Sequence, residues 1–534
     1  MNETGLYPAE HNKVTSDSIF RIMSVSKNFA MTSALVVETK SKLVSPNNYS
    51  LLTMNTPVRL LLPSFGLPER DWNDGGSEIT LAMLASHTAG FSRESYSTGF
   101  NMILSTGKAD LPTIGAAWAG ASADEVIEFA KRTNLIFAPG KRAAYSNTGI
   151  SILASAVAAY YNNITDLDLS WSQLVTREIL APLNMTHSFF GTVPQDLEPY
   201  IGVPGGQNWA GLIVGNGYEP AAGMWSSAVD LTRYIHYMWL QPSPTLITPS
   251  QRRQVLKPVA ILPDGIQQAG PGWEIEVFSL PTSSNATLVD MTKIYSIYGK
   301  SGDGGGWHSW IDTIPNLGYG IVVLTQQSGL ADYVSISTAR TREIAHDILA
   351  PAFAKALSAR VAERFAGNYT QGKDTSLFSD EVPRNASHTS TYAKLEVKDQ
   401  ILYLRELVVN GTSALEALDR LSWTETSQRR LFSTPQGVVL EPAEGAAETA
   451  EFGEGTQIWR MNFPGLKVCD WFDFDGYKDS RGWPLSKVVL VETNGGVELR
   501  YPPFDVVMTR ALTQNGGGDK SSPSTLSRKL SILE

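Results

Sequence analysis

One cysteine, Cys469, stands in the 534 residues. A single cysteine excludes an internal disulfide and a zinc site built on thiolates. It lies in Leu466-Lys467-Val468-Cys469-Asp470-Trp471 and reads as a packed or surface thiol. Histidine is scarce too: seven residues are scattered along the chain with no His-Glu-x-x-His pair, so no metal and no cofactor is expected. No apolar run approaches the ~20 residues that a membrane helix needs, so no bilayer span is expected. Basic residues are outnumbered, 43 Lys and Arg against 53 Asp and Glu, for a formal net charge of −10. No basic stripe offsets that charge, which excludes a nucleic-acid partner. There is no Gly-x-Ser-x-Gly elbow. The start, Met1-Asn2-Glu3-Thr4-Gly5, lacks the basic head and apolar core of a signal peptide.

What remains is an ordinary globular composition, 42% hydrophobic and 18% charged, in a chain too long for one hydrophobic core. Eight Asn-x-Ser/Thr sequons begin at Asn2, Asn48, Asn163, Asn184, Asn285, Asn368, Asn385 and Asn410. Each is a glycan acceptor in a secretory pathway. They point to a secreted protein whose leader is missing from this sequence, with the cytoplasm as the alternative compartment.

Residues 1–20 are polar and read as a lead-in loop. Apolar periodicity predicts helices over Ser24–Leu43 (burying Phe29, Ala30, Ala34, Leu35 and Val37), Ile79–Ser86, Asp124–Arg132, 149–160, 228–239 and Arg340–Leu357. Lys293–Tyr298 and Tyr319–Leu324 read as strands. After about residue 360 the period becomes two, as in Ala393-Lys394-Leu395-Glu396-Val397 and Val497-Glu498-Leu499-Arg500-Tyr501. The expected organisation is a first unit over 1–356, an antiparallel β unit over 357–512 and a disordered tail over 513–534.

Three motifs carry chemistry. In Phe20-Arg21-Ile22-Met23-Ser24-Val25-Ser26-Lys27 a serine precedes a lysine by three residues, which places both on one face of a helix start. The helix N-terminus favours a serine alkoxide there and helps keep Lys27 neutral as a base. The same spacing recurs at Ser105-Thr106-Gly107-Lys108 in a loop-like setting, so it is the apolar helix behind Ser24 that distinguishes it. The second motif, Pro139-Gly140-Lys141-Arg142-Ala143-Ala144-Tyr145-Ser146-Asn147, offers a phenol for proton exchange and an amide for holding substrate, from a loop before a Gly149-headed helix. The third, Tyr298-Gly299-Lys300-Ser301-Gly302-Asp303-Gly304-Gly305-Gly306, puts a cation and a hydroxyl at a strand end where glycines expose backbone. Backbone N–H groups near Asp303 and at Ser24 make a candidate oxyanion hole. His308, just past the glycines, is a further candidate lining residue, and His87 reads as structural.

Ser-x-x-Lys, Tyr-x-Asn and Lys-Ser-Gly, in that order, resemble the signatures of serine β-lactamases of class C, D,D-peptidases and related esterases, the penicillin-binding-protein-like group. The stretches Ile79–Gly90, Ala181–Thr186 and Ala222–Leu231 resemble the group's flanking sequences, so the likeness covers roughly 18–355. The β unit, introduced by Phe365-Ala366-Gly367-Asn368-Tyr369, resembles an accessory domain of fungal and bacterial members. The resemblance implies an α/β (α+β) fold with an antiparallel sheet between helical layers, followed by a C-terminal antiparallel β domain. It implies acylation of Ser24, proton traffic through Lys27 and Tyr145, and substrate contacts from Asn147, Lys300, Ser301, Gly302 and Asp303, without cofactor. The expected function is a monomeric serine hydrolase for a small-molecule ester, amide or lactam. An acyltransferase of secondary metabolism and an inactive binding protein are the alternatives. Two departures stand out. Ser301 replaces a more usual threonine. Only 23 residues precede Ser24, too polar as a set to be the helix and two strands that the group has there, so the central sheet is expected to keep an uncovered edge.

Overall fold

A computed structural model describes residues 14–44, 52–63, 65–66, 78–95, 118–206, 208–280, 294–327, 334–372, 390–419, 437–443, 452–453, 455–462, 477–494 and 496–510. Cys469, the Ser105–Lys108 loop, the sequons at Asn2, Asn48, Asn285 and Asn385, and the tail from Thr513 lie outside the described residues. The chain divides into two compact units. One runs to Phe278 and includes Tyr295–Ile348; the other comprises Ser279–Ile294 and Leu349–Leu530.

In the first unit the lead-in is not all loop. Ser18, Ile19 and Phe20 are buried, and β1 (Ile19–Arg21) joins β2 (Phe189–Phe190) and β3 (Met224–Ser227) in a small sheet ordered β1-β3-β2. The apolar pair Ile19-Phe20 supplies the burial that the polar residues before it mask. Helix α1 (Ser26–Val44) buries the five expected apolar residues, and Asn28, Thr32 and Ser33 as well. It is therefore a central helix, enclosed on all sides. Its polar groups are each met: Asn28 Nδ2 donates to the Gly272 carbonyl at 2.9 Å, Thr32 pairs with the Tyr234 hydroxyl at 2.6 Å, and Ser33 Oγ donates to the Ala30 carbonyl at 2.7 Å. Helix α2 (Asn147–Thr165) packs along α1.

The main sheet of this unit holds six strands in sequence order: β4 (Ala260–Ile261), β5 (Gln267–Gly270), β6 (Trp273–Ser279), β7 (Ile294–Gly304), β8 (Trp307–Ile314) and β9 (Tyr319–Gln326). The β4–β5, β5–β6, β7–β8 and β8–β9 pairings are antiparallel. Period-two alternation splits the faces. On β8, Ser309 and Ile311 face α1, whereas Trp310 and Asp312 face the start of α3 (Val334–Phe365). There Arg342 binds Asp312 at 2.5 Å and Glu276 at 2.9 Å, and His346 bridges Asp312 (2.8 Å) and the Tyr319 hydroxyl (2.9 Å). The sheet thus lies between helical layers.

The second unit is antiparallel throughout. Its strands are β10 (Gly367–Gln371), β11 (Tyr392–Lys398), β12 (Ile401–Val409), β13 (Thr412–Ser413), β14 (Val438–Ala443), β15 (Thr456–Asn462), β16 (Lys487–Thr493), β17 (Gly496–Tyr501) and β18 (Val506–Arg510). The order is β11-β10-β18-β17-β16-β15-β14-β12-β13, and an added β11–β12 pairing closes eight of these strands into a ring. Alternate residues such as Leu404, Leu440, Val488, Leu490, Leu499 and Met508 fill its inside. Closure leaves no edge among those eight strands.

Candidate active site

After β1 the chain stays on β3 through the bond from Ile22 N–H to the Met224 carbonyl (3.1 Å), then tightens into a one-turn 3₁₀ helix, Met23–Val25, ahead of α1. Met23 has φ of +46°, an unusual left-handed conformation for a side-chain-bearing residue. Its buried side chain and the bond from Ser26 Oγ to its carbonyl (2.7 Å) hold it there. Ser24 therefore sits in this turn rather than in the α-helix proper, partly exposed, with Lys27 buried below it in the first turn of α1. Lys27 Nζ donates to Ser24 Oγ at 2.8 Å and to the Ala221 carbonyl at 2.7 Å.

The loop carrying Tyr145 is shaped by the loop that follows the short helix Leu81–Ala85. Gly140 N–H reaches the Thr88 carbonyl (2.8 Å), Ala144 N–H the His87 carbonyl (2.9 Å), and Asn147 N–H the Arg93 carbonyl (2.8 Å). Ser146 Oγ donates to the Ser92 carbonyl at 2.8 Å, and Ser146 N–H donates to His87 Nδ1 at 3.2 Å. The His87 ring lies 4.7 Å from that of Tyr145. His87 is thus structural, as expected, but it braces the neighbouring loop rather than its own. So held, the Tyr145 hydroxyl donates to Ser24 Oγ at 2.6 Å. Ser146, not Gly149, caps α2, accepting from Gly149 N–H at 2.9 Å. Asn147 is therefore the first helical residue rather than part of the loop, because the Ser146 side chain satisfies the exposed N–H groups two residues earlier than a glycine start would.

Lys300 is 2% exposed, with Nζ 5.3 Å from the Tyr145 ring centre. It ion-pairs with Glu274 and donates to the Ser301 carbonyl at 2.8 Å. The same Glu274 carboxylate accepts from Ser301 Oγ (2.9 Å) and Ser301 N–H (3.1 Å). Gly302 lies against the nucleophile turn: a Cβ there would come within 2.9 Å of Ser24 N and 2.3 Å of the Ile22 carbonyl oxygen. Ser309 Oγ ties the same carbonyl to β8 at 2.7 Å.

The expected residues do not all converge. Asp303 turns its carboxylate to His308 Nδ1 at 2.6 Å. Alternation puts His308 on the Trp310 and Asp312 face of β8, away from Ser24, so His308 does not line the site. Asn147 directs Nδ2 to Glu94 Oε1 at 2.7 Å. Glu94 and Glu274 are the groups that sequence reasoning missed. Glu274 had a signal, the alternation Trp273-Glu274-Ile275-Glu276, which places two carboxylates on one strand face. Glu94 had none beyond its nearness to the Ile79–Gly90 stretch.

Burial holds the Lys27 ammonium below its ordinary value of 10.5, and Lys300 pushes the same way against Tyr145 and Glu94. Burial alone would raise the Tyr145 phenol, but the positive charges of Lys27 and Lys300 outweigh it and bring it below 10. Burial would likewise lower Lys300, and the Glu274 charge reverses that. His87 is held well below 6.5, by burial first and by the two lysines next, and so is neutral. Ser24 Oγ is flanked by an amine and a phenol whose proton affinities are both reduced, which is a setting for moving a proton to and from the hydroxyl.

Over 377 residues the chain is 25% identical to the Beta-lactamase-like protein of Arthroderma benhamiae, covering 67% of this chain and 56% of that protein. It thus spans little more than half that relative's length. It is 26% identical over 344 residues to the D-alanyl-D-alanine-carboxypeptidase/endopeptidase AmpH of Escherichia coli K12, covering 62% of this chain and 76% of the relative. Among solved structures it is similar to a Beta-lactamase/D-alanine Carboxypeptidase from Yersinia pestis, with a TM-score of 0.46 at 20% identity over 64% of this chain and 87% of that one. A family model described as Beta-lactamase matches residues 4–346, a span that holds Ser24, Tyr145, Lys300 and every residue around them, and so the chain belongs to the Beta-lactamase family.

Proposed function

We propose that the chain is a serine hydrolase that acts through an acyl-Ser24 intermediate on a small ester, amide or lactam. The observation that carries this is the placement of Ser24 Oγ between Lys27 Nζ (2.8 Å) and the Tyr145 hydroxyl (2.6 Å). Neutral Lys27 takes the Ser24 proton as Oγ attacks the carbonyl carbon, forming the C–O bond. The oxyanion is stabilised by the Ser24 N–H and by backbone N–H at Asp303, next to the close approach at Gly302. Tyr145 gives its proton to the departing alcohol or amine as the C–X bond breaks, and recovers one from Lys27. Water then repeats the sequence on the acyl-enzyme, releases the acid and restores Ser24. Asn147 and the Lys300–Ser301 corner are the substrate contacts in this reading.

Names of the relatives support the substrate class: AmpH is described as a carboxypeptidase/endopeptidase, so its substrate is an amide. The sequons support a glycosylated, secreted protein. The four in described residues, at Asn163, Asn184, Asn368 and Asn410, all have exposed asparagines.

The test is intact mass after incubation with a p-nitrophenyl ester and, separately, with a β-lactam, beside Ser24→Ala. An acyl adduct absent from the variant is expected. No adduct and no turnover would favour the binding-protein alternative, and turnover only in the presence of an alcohol acceptor would identify a transferase. A mass shift on enzymatic deglycosylation of secreted protein tests the sequons; an unchanged mass would remove the glycoprotein reading.

A further inference from the structure

The acceptors around Ser24 outnumber the donors left to meet them. Lys300 is answered by Glu274. Lys27 commits two of its three N–H groups, to Ser24 Oγ and the Ala221 carbonyl. Glu94 is placed differently from Glu274. Its side chain is 12% exposed, and it accepts from neutral donors, Asn147 Nδ2 at 2.7 Å and Trp118 Nε1 at 3.4 Å. Arg93 approaches it only to 3.5 Å, on a side chain 71% exposed to solvent. Trp118 stacks on Tyr218 (5.3 Å, 14° between planes), which gives the carboxylate an aromatic backing where charge is poorly screened.

A carboxylate only accepts, so Asn147 must present its Nδ2 corner to Glu94. Its Oδ1, at the other corner of the same amide, is then buried without a donor, in a residue 2% exposed. Buried acceptors are rarely left so. Two adjacent acceptors, one anionic and one unpartnered, beside a nucleophile call for a compact group with several N–H donors and a positive charge.

We propose that Glu94 and Asn147 Oδ1 form a cation-recognising subsite, and that the acyl donor carries a primary ammonium beside its reacting carbonyl, as an amino-acid ester or amide does. This rests on the acyl-Ser24 reading. One ammonium N–H meets Glu94 and a second meets Oδ1, so that both acceptors are satisfied only when substrate is bound. Glu94 also interacts with Lys27 through charge, and burial raises its own proton affinity. A bound ammonium answers the Glu94 charge and disfavours a second cation at Lys27, which leaves the lysine neutral at the moment a base is needed. Glu274 reinforces the selection: with Lys300 and Ser301 already bonded to it, an anionic donor finds no free cation there.

The experiment compares kcat/KM for the p-nitrophenyl esters of alanine, in both enantiomers, and of isobutyric acid. The two acids differ by ammonium against methyl, and the comparison is made at pH 6.5, where the amine keeps its proton. The full chain is expected to prefer at least one alanine ester by about tenfold or more. Glu94→Gln keeps the shape and an acceptor for Asn147. It is expected to bring the ratio of alanine-ester to isobutyrate kcat/KM to about one, a ratio that a change at Lys27, shared by every ester, does not move. Equal kcat/KM for all three esters in the unaltered chain would overturn the proposal. So would a parallel loss on every ester in Glu94→Gln, which would make Glu94 only a brace for Asn147. Absence of any Ser24-dependent turnover or adduct would instead sink the acyl-Ser24 reading, and this proposal with it.

Discussion

The two units fill their interiors in opposite ways. The closed barrel of the second unit is lined by Leu, Val, Met and aromatic side chains, and among its described residues only Lys487 and Asp505 are both charged and buried. In the first unit Lys27, Asn28, Asn147, Asp230, Lys300, Asp312 and Arg342 are all nearly inaccessible. Burying a polar group is unfavourable unless it is bonded, and burying a charge more so. The barrel interior follows what stability alone requires. The first unit departs from it in several places, among them Ser24, the Asp312 face of the sheet and Asp230, and of these three Ser24 alone holds a partly exposed hydroxyl between an amine and a phenol of lowered proton affinity. Buried polarity thus marks both chemistry and scaffolding: Asp312 is met by Arg342 and His346, whereas in the Ser24 group Asn147 Oδ1 has no donor.

The sharpest test of the contrast is Ser24→Ala, expected to lower turnover by at least about a thousandfold, ~4 kcal/mol of barrel-independent barrier. Rate and intact mass report it, and residual activity near the original level would dissolve the distinction. Next in size, Asp312→Ala removes one of the two carboxylates that hold buried Arg342, along with the partner of His346, and should destabilise by about 3–5 kcal/mol, read from denaturant midpoints. Leu499→Ala in the barrel should cost about 2–5 kcal/mol through a cavity. At temperatures below its transition, acyl-Ser24 formation should be unaffected; a matching loss of acylation would show that the two units are not separable.

Smaller effects follow from titration. Because the Lys27 pKa is lowered, its neutral form grows as pH rises through a value below 10.5, so acylation should climb with pH along a limb in that range. A pH–rate profile checks this, and Lys27→Arg should flatten it, since arginine stays charged. His87 has a depressed folded-state pKa, so the stability linked to its neutral form is present above about 6.5 and is lost as pH falls below that value. Melting curves between pH 7.5 and 5 should show that decline in the full chain and less of it in His87→Gln. Last, Arg340→Ala breaks only an exposed pair with Glu343 and should change stability by less than about 0.5 kcal/mol.

What was legible in the sequence was local. Ser24 and Lys27 lie three residues apart ahead of an apolar helix, and Tyr145 sits in a short loop with its own punctuation, so spacing and immediate surroundings together bring out both. The architecture of the first unit came through resemblance and the β unit through period-two alternation. Strand β8 escaped because Ser309 and Asp312 interrupt its apolar pattern, and each is polar for a reason that lies elsewhere in the fold: Ser309 bonds Ile22, and Asp312 bonds Arg342. Glu274 and Glu94 escaped for the same cause. The first acts through Lys300 26 residues away, the second through Asn147 53 residues away. Barrel closure could not be read, because β10 and β18, which meet side by side, stand at opposite ends of the unit.

The bond from Ser309 Oγ to the Ile22 carbonyl joins residues 287 positions apart. Ribosomes add roughly 5–20 residues per second, so Ser24 leaves the ribosome about 15–60 s before the strand that completes its surroundings is made. Until then Lys27 has neither Lys300 beside it nor the enclosed setting that suppresses its charge, and the serine is an ordinary alcohol. The nucleophile is assembled late and from distant parts, which keeps a growing chain chemically quiet toward the esters and amides of the compartment in which it is synthesised.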